Sequence, residues 1–215
     1  LSKTSINREI LEKHFNQQFS VSDYHLISKY IEHSKIWPKP SRCLSKQFVE
    51  WFYSTSYIAK LKKEYGEIEI SDEDQIGHSN IYWRIVRPNE ETDIGSLHRD
   101  SWFWDIMEME GENFNLLKYK RLKSWISINI EVGKNGLLVV PYSHKSKNIK
   151  WDTLEKHGRI KPMLRTEFNK SDILLLETNN NTVVTFDDNL IHGGSLNKGT
   201  LTRVSLEFTA FLKSQ

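Results

Sequence analysis

The sequence predicts a mainly β fold of the α+β class, a double-sheet jelly roll with helices packed outside it. After residue 80, short segments rich in β-branched and aromatic residues are bounded by Gly, Asn, Asp and Pro. Before residue 65, apolar residues recur at helical spacing. We therefore expect one domain over residues 1–215, with a helical N-terminal part at 1–65 and a jelly-roll core at 80–212.

Apolar stripes at 6–15 and 24–31 predict the first two helices, the second ending near the "WPKP" of residues 37–40. Ser45 is placed to cap a third helix, whose buried side would run over residues 48–61.

The second part of the chain contains six segments with the composition of strands. They are "NIYWRIVRP" (80–88), "SWISINIEV" (124–132), "GLLVVPYSH" (136–144), "DILLLET" (172–178), "TVVTFDD" (182–188) and "TRVSLEFTAFL" (202–212). The intervening "ETNNNT" and "SLNKGT" are typical of hairpin turns. The loop from Asp105 to Lys123 is long enough to act as a lid.

The composition limits the classes of partner. With 30 Lys+Arg against 28 Asp+Glu, the net charge of +2 gives no indication of nucleic-acid binding. No apolar run approaches the ~20 residues of a membrane span, and the single Cys43 suits a reducing compartment. We expect a cytoplasmic protein that acts on a small molecule and has no nucleic-acid or membrane partner; the pattern does not indicate an oligomeric state.

The segment "GSLHRDSWFW" (95–104) contains the His-Arg-Asp of a protein-kinase catalytic loop. A kinase would need an Asn five residues after the Asp, where this chain has Asp105, and a glycine-rich loop, although no G-x-G occurs in it. The kinase interpretation is therefore excluded. Within a strand, His98 and Asp100 would instead share one face, as two of the three ligands of a non-haem Fe(II) site.

His192 is the best candidate for the third ligand. It ends an apolar segment and precedes two glycines, which permit close backbone approach. Eleven residues later comes Arg203, followed by Ser205 on the same face of a predicted strand that should run back beside His192. A guanidinium and a hydroxyl so placed could clamp a carboxylate.

Together, His98-x-Asp100, His192 and Arg203-x-Ser205 resemble the signature of Fe(II)/2-oxoglutarate-dependent oxygenases. The segment "GKNGLLVVPYSHK" (133–145) further resembles the phytanoyl-CoA dioxygenase-like branch, which commonly has Gly where this chain has Tyr142, so we expect the turn after Pro141 to be built differently. The likeness covers about residues 80–212.

The resemblance implies a double-stranded β-helix, the jelly-roll form that the strand pattern predicts. It also implies Fe(II) on the two histidines and Asp100, 2-oxoglutarate held by Arg203 and Ser205, and O₂ as oxidant. The presence of Asp100 favours hydroxylation over halogenation, and the products would include succinate and CO₂.

Two alternatives stay open. A cupin-like isomerase or dioxygenase would use similar ligands without 2-oxoglutarate and would not need Arg203. A non-catalytic ligand-binding jelly roll would need neither tight metal binding nor the histidines.

The substrate is less well indicated. Trp102 and Trp104 follow the metal-binding triplet and could wall a pocket, although core packing explains them equally well. Arg87 and Arg99 flank the same region and could attract a polar or anionic metabolite, but they could equally belong to a solvated charged face.

Overall fold

The computed structural model describes residues 21–28, 37–111, 119–156 and 159–212. Within these ranges the α-helices are α1 (Tyr24–Ile27), α2 (Lys46–Tyr53), α3 (Ser56–Tyr65) and α4 (Ser101–Met109). The strands are β1 (Ile68–Ile70), β2 (Tyr82–Val86), β3 (Lys120–Asn129), β4 (Leu137–Val139), β5 (Trp151–Lys156), β6 (Arg159–Leu164), β7 (Leu174–Leu175), β8 (Val183–Asp187), β9 (His192–Gly194) and β10 (Arg203–Leu212).

The strands form antiparallel sheets, which confirms the predicted mainly β class. The largest sheet has the order β1-β10-β3-β8, and β2 pairs with β10 as well. β2 lies beside residues 203–207 of β10 and β1 beside residues 210–212, so the two short strands share one edge of the long one. A second sheet has the order β7-β4-β9, and β5 and β6 pair only with each other.

The two faces of the large sheet have different chemistry. Along β10, Val204, Leu206, Phe208, Ala210 and Leu212 all belong to the main core, together with apolar residues of the N-terminal helices. The alternate positions face the other way because side chains alternate across a strand. There β10 carries Arg203, Ser205, Glu207 and Thr209. On β3, Trp125 packs against β4 of the second sheet, so the polar residues of β10 lie on the face that meets the second sheet.

The helical region differs from the prediction in its divisions. Ser45 caps α2 as predicted, since its hydroxyl accepts from the Phe48 amide. The predicted third helix is two helices, because Ser54 and Thr55 donate their side-chain hydroxyls back to the carbonyls of Trp51 and Phe52 and the chain turns there. The first predicted helix and residues 29–36 lie outside the described residues, and the start of the second predicted helix is α1. In the described ranges, no helix is long and apolar enough to cross a bilayer.

All six predicted strands overlap observed ones, but the expected lid does not exist as a continuous loop. Its first residues belong to α4, which runs to Met109, and its last belong to β3, which starts at Lys120. Residues 112–118 lie outside the described ranges.

The turn after Pro141 has a backbone conformation that suits glycine. Tyr142 has φ 62° and ψ 0°, in the left-handed region that glycine favours. The expectation that this turn is built differently from that of the phytanoyl-CoA dioxygenase-like branch stays a prediction.

Candidate metal centre

His98 and His192 are brought together by a short antiparallel bridge. Each backbone amide donates to the other residue's carbonyl, over 2.9 and 3.0 Å. The ring of His98 places Nδ1 2.8 Å from the Ser96 carbonyl, and that of His192 places Nδ1 3.0 Å from the Leu190 carbonyl. Since a carbonyl can only accept, each Nδ1 carries the proton and each Nε2 offers a lone pair.

Asp100 completes the group from the start of a helix. Its Oδ1 lies 3.4 Å from Nε2 of His98, and its Oδ2 lies 3.7 Å from Nε2 of His192. The predicted reason for this convergence, alternation along a strand, is wrong. Asp100 has helical dihedrals (φ −67°, ψ −30°) at the N-cap of α4, and its side chain does not cap the helix. A turn therefore directs the carboxylate toward the histidines.

Among the described residues, His98, Asp100 and His192 are the group of side chains that could hold a metal ion. Their ligand atoms all lie within 4.8 Å of one another. Two neutral imidazole nitrogens and one carboxylate suit a divalent first-row metal such as Fe(II). Oδ2 of Asp100 is buried, accepts no hydrogen bond from the described residues and lies 3.2 Å from the Lys123 ammonium of β3, so the carboxylate keeps lone pairs that could coordinate a cation.

Charges around the group keep it competent to bind a cation. Burial alone would raise the pKa of Asp100, but the Lys123 ammonium and the two imidazoles hold that pKa well below its usual range. Burial lowers the pKa of His192 to about 4, although Asp100 opposes this. Asp100 is therefore ionised and His192 neutral at neutral pH, as metal coordination requires.

Arg203 and Ser205 lie in the five-stranded sheet, whereas His192 lies in β9 of the three-stranded one. The prediction that these strands run side by side is thus wrong. The Arg203 guanidinium reaches across to β9, where a Cβ added to Gly194 would lie 3.2 Å from its Nη2. Gly194 therefore leaves the space that this guanidinium occupies, two residues from a candidate metal ligand.

Arg203 and Ser205 each have a buried polar atom that forms no hydrogen bond with the described residues. Arg203 is 4% exposed and donates from Nη1 to the Gly136 carbonyl, while its Nε has no partner among the described residues. Ser205 is fully buried, and its Oγ likewise has no partner there. Burial lowers the pKa of Arg203 to about 10, so the group stays charged at neutral pH. A buried cation beside an unpartnered hydroxyl is suited to bind an anion.

The predicted substrate arginines are engaged with the protein. The Arg87 guanidinium pairs with Asp93 at 2.8 Å and donates to the Ser28 carbonyl at 3.0 Å. The Arg99 guanidinium donates from Nη2 to the carbonyls of Ser143 and Ser146. Both guanidinium groups therefore hold loops together.

The predicted substrate tryptophans are core residues on α4. Trp102 is 3% exposed and stacks on Trp151, with ring centroids 5.3 Å apart. Trp104 is 4% exposed and packs against Phe211. Of the three aromatic residues in this run, Phe103 lies against the centre, with its ring 5.3 Å from that of His98.

Sequence reasoning missed two further residues around the centre. Lys123 of β3 places its Nζ 3.2 Å from Oδ2 of Asp100, and the Phe186 ring of β8 lies 4.7 Å from the His192 ring. A lysine inside the strand sequence "RLKSWISIN" was the available signal, since a lysine is buried only where it is paired.

Neither a family model nor a curated protein matches the sequence. Solved structures do match. EvdO2 from Micromonospora carbonacea var. aurantiaca superposes with a TM-score of 0.57 at 11% identity over 80% of this chain and 66% of EvdO2. Its complex with 2-oxoglutarate gives a TM-score of 0.55 at 11% identity, over 79% of this chain and 64% of that one. The nickel complex of ThoJ, a non-heme monooxygenase, gives 0.53 at 6% identity, over 94% of this chain and 68% of ThoJ.

These likenesses establish a shared fold. The chain spans just under two thirds of the length of EvdO2. It has the fold of a group that includes a protein solved with 2-oxoglutarate and a non-heme monooxygenase. The resemblance to the phytanoyl-CoA dioxygenase-like branch stays a prediction.

Proposed function

We propose that the protein is an Fe(II)- and 2-oxoglutarate-dependent dioxygenase, built on a double-stranded β-helix, that hydroxylates a C–H bond of a small polar or anionic metabolite. One observation carries the proposal. A group of two histidines and a carboxylate lies in the same fold as a buried arginine, Arg203, that has no carboxylate partner among the described residues.

The metal would be held by Nε2 of His98, Nε2 of His192 and a carboxylate oxygen of Asp100. The Ser96 and Leu190 carbonyls fix both imidazoles in the tautomer that frees Nε2. Bound Fe(II) would supply O₂ activation coupled to oxidation of 2-oxoglutarate to succinate and CO₂, with one oxygen atom entering succinate and the other the substrate C–H bond.

Arg203 and Ser205 would hold the distal carboxylate of 2-oxoglutarate. In this arrangement the guanidinium and the Oγ hydroxyl donate to carboxylate oxygens in a site from which water is excluded, where charge-assisted hydrogen bonds are strong. A cupin-like enzyme that does not use 2-oxoglutarate would have no use for this unpaired buried cation.

The substrate would approach on the His98 side of the centre. The His98 side chain is 21% exposed, whereas that of His192 is 6% exposed. Phe103, which is 37% exposed, stands at this more open side with its ring against His98. Arg203 and Ser205 are buried. The buried side of the centre would therefore suit the co-substrate, and the more exposed His98 side the substrate.

The similar structures support the proposal at the level of fold. EvdO2 was solved with 2-oxoglutarate, and ThoJ, a non-heme monooxygenase, was solved with nickel. Either ligand would suit the groups described above.

The test is an anaerobic titration of the protein with Fe(II) and 2-oxoglutarate, followed by the visible charge-transfer band of the chelate. We expect the band in wild type and in Arg165→Met, a control at an exposed guanidinium, and a much weaker one in Arg203→Met. Fe(II) binding without a band would favour the cupin-like alternative, and no metal binding would refute the proposal. Succinate release would then screen candidate substrates.

A further inference from the structure

Lys123 is a buried cation at the candidate centre. It is 8% exposed and lies in β3 between Thr209 of β10 and Phe186 of β8. Burying an ammonium is costly unless an anion compensates it. The position therefore needs an explanation in terms of a specific partner.

That partner is Asp100. Among the described residues, the Oδ2 atom of Asp100 is the carboxylate oxygen within ion-pair distance of the Lys123 ammonium, at 3.2 Å. The neighbouring carboxylate, Glu207, is instead paired with Arg84 at 2.5 Å. The positive charge of Lys123 is therefore directed at the candidate metal ligand.

The contact distinguishes the two oxygens of Asp100. Both oxygens face a histidine, Oδ1 at 3.4 Å from Nε2 of His98 and Oδ2 at 3.7 Å from Nε2 of His192. Of the two, it is Oδ2 that also lies within ion-pair distance of the ammonium. A carboxylate can coordinate a metal through one oxygen or through both. Coordination through both would use one more position around the metal, and the ammonium competes for one of the two oxygens.

We propose that Lys123 is a positioning residue that holds Oδ2 of Asp100 and thereby limits this carboxylate to coordination through one oxygen. The inference rests on the proposed function, because it concerns the metal bound there. A six-coordinate metal with two imidazoles and one carboxylate oxygen keeps about three open positions, enough for a chelating co-substrate and O₂. A second carboxylate oxygen would leave about two.

The probe is Mn(II), whose exchangeable water ligands are counted by water-proton relaxation in the absence of 2-oxoglutarate. We expect about three exchangeable waters in wild type and about two in Lys123→Met, which keeps the aliphatic stem but removes the ammonium. Lys120→Met, at an exposed lysine of the same strand, should retain the wild-type count. Mn(II) affinity in Lys123→Met should stay the same or increase, because a repelling charge is removed, while affinity of the Mn(II) form for 2-oxoglutarate falls.

Lys123→Gln provides an uncharged variant whose amide could donate a hydrogen bond to Oδ2, and we expect it to keep about three waters. It also serves if Lys123→Met does not fold, because two waters in folded Lys123→Gln would contradict the inference. A wild-type count in folded Lys123→Met would overturn the inference and leave the proposed function intact. Absence of Mn(II) binding in wild type would overturn both.

Discussion

Removing the Ser205 hydroxyl should stabilise the metal-free protein and weaken co-substrate binding. Ser205 is fully buried, and its Oγ has no partner among the described residues. Such an orphan costs about 1–3 kcal/mol, so after the small loss of packing Ser205→Ala should gain about 1 kcal/mol of unfolding free energy. A hydrogen bond to a charged acceptor is worth about 1.5–3 kcal/mol, so the affinity for 2-oxoglutarate should fall roughly 10- to 100-fold.

Ser127 is the matched control, because it lies directly opposite Ser205 on β3 and is also fully buried. Its Oγ donates to the Asn179 carbonyl, with the Thr182 carbonyl as a second acceptor at 3.2 Å, and accepts from the Thr182 amide. Ser127→Ala should therefore destabilise the protein by about 1–3 kcal/mol. The two serines thus predict stability changes of opposite sign from the same substitution.

Urea unfolding of the metal-free proteins measures the first quantity, and calorimetric titration of the Mn(II) forms with 2-oxoglutarate measures the second. If Ser205→Ala lost as much stability as Ser127→Ala, the Ser205 hydroxyl would have a structural partner and the reasoning would fail. Unchanged affinity for 2-oxoglutarate would remove Ser205 from the anion site.

Three further changes test other parts of the molecule. Gly194→Ala would place a Cβ 3.2 Å from Nη2 of Arg203; we expect several-fold weaker 2-oxoglutarate binding by calorimetry with little change in melting temperature, and unchanged binding would show that the guanidinium adjusts freely. Burial would raise the pKa of Glu207, but Arg84 and Lys123 hold it at about 2, so its stabilising contribution is complete above its ordinary pKa and is lost as the pH falls toward 2. We expect the unfolding free energy, measured with urea, to fall between pH 6 and 2 by up to about 3 kcal/mol less in Glu207→Gln than in wild type. Equal decreases would argue against an interaction of Glu207 with Arg84 and Lys123. At Tyr142, with its φ of 62°, Val should give a protein about 1–2 kcal/mol less stable than Gly does, whereas thermal melts in the reverse order would contradict the left-handed backbone.

The candidate metal centre could be predicted from the sequence because its signal is local. His98 and Asp100 are two residues apart, and His192 precedes glycines at the end of an apolar segment. Such features depend on residue type and short spacing. The strands and the Ser45 cap were predictable for the same reason, since alternation and capping are properties of a few consecutive residues.

The tertiary structure decided what depends on contacts between distant segments. Trp102 and Trp104 could have lined a pocket or filled the core, and only the packing of α4 against Trp151 and Phe211 places them in the interior. Alternation along a strand is visible in the sequence, but which face meets a second sheet is decided by pairing between residues far apart in the chain.

The sequence by itself thus determined the residue types of the centre, its order along the chain and the mainly β class. Only the tertiary structure brought Arg203 against β9 from another sheet and placed Lys123 beside Asp100. The physical reason is that a charged side chain in water needs no particular partner, whereas a buried one does. A lysine or arginine removed from water must find an anion, and which anion lies within reach is a property of the folded chain.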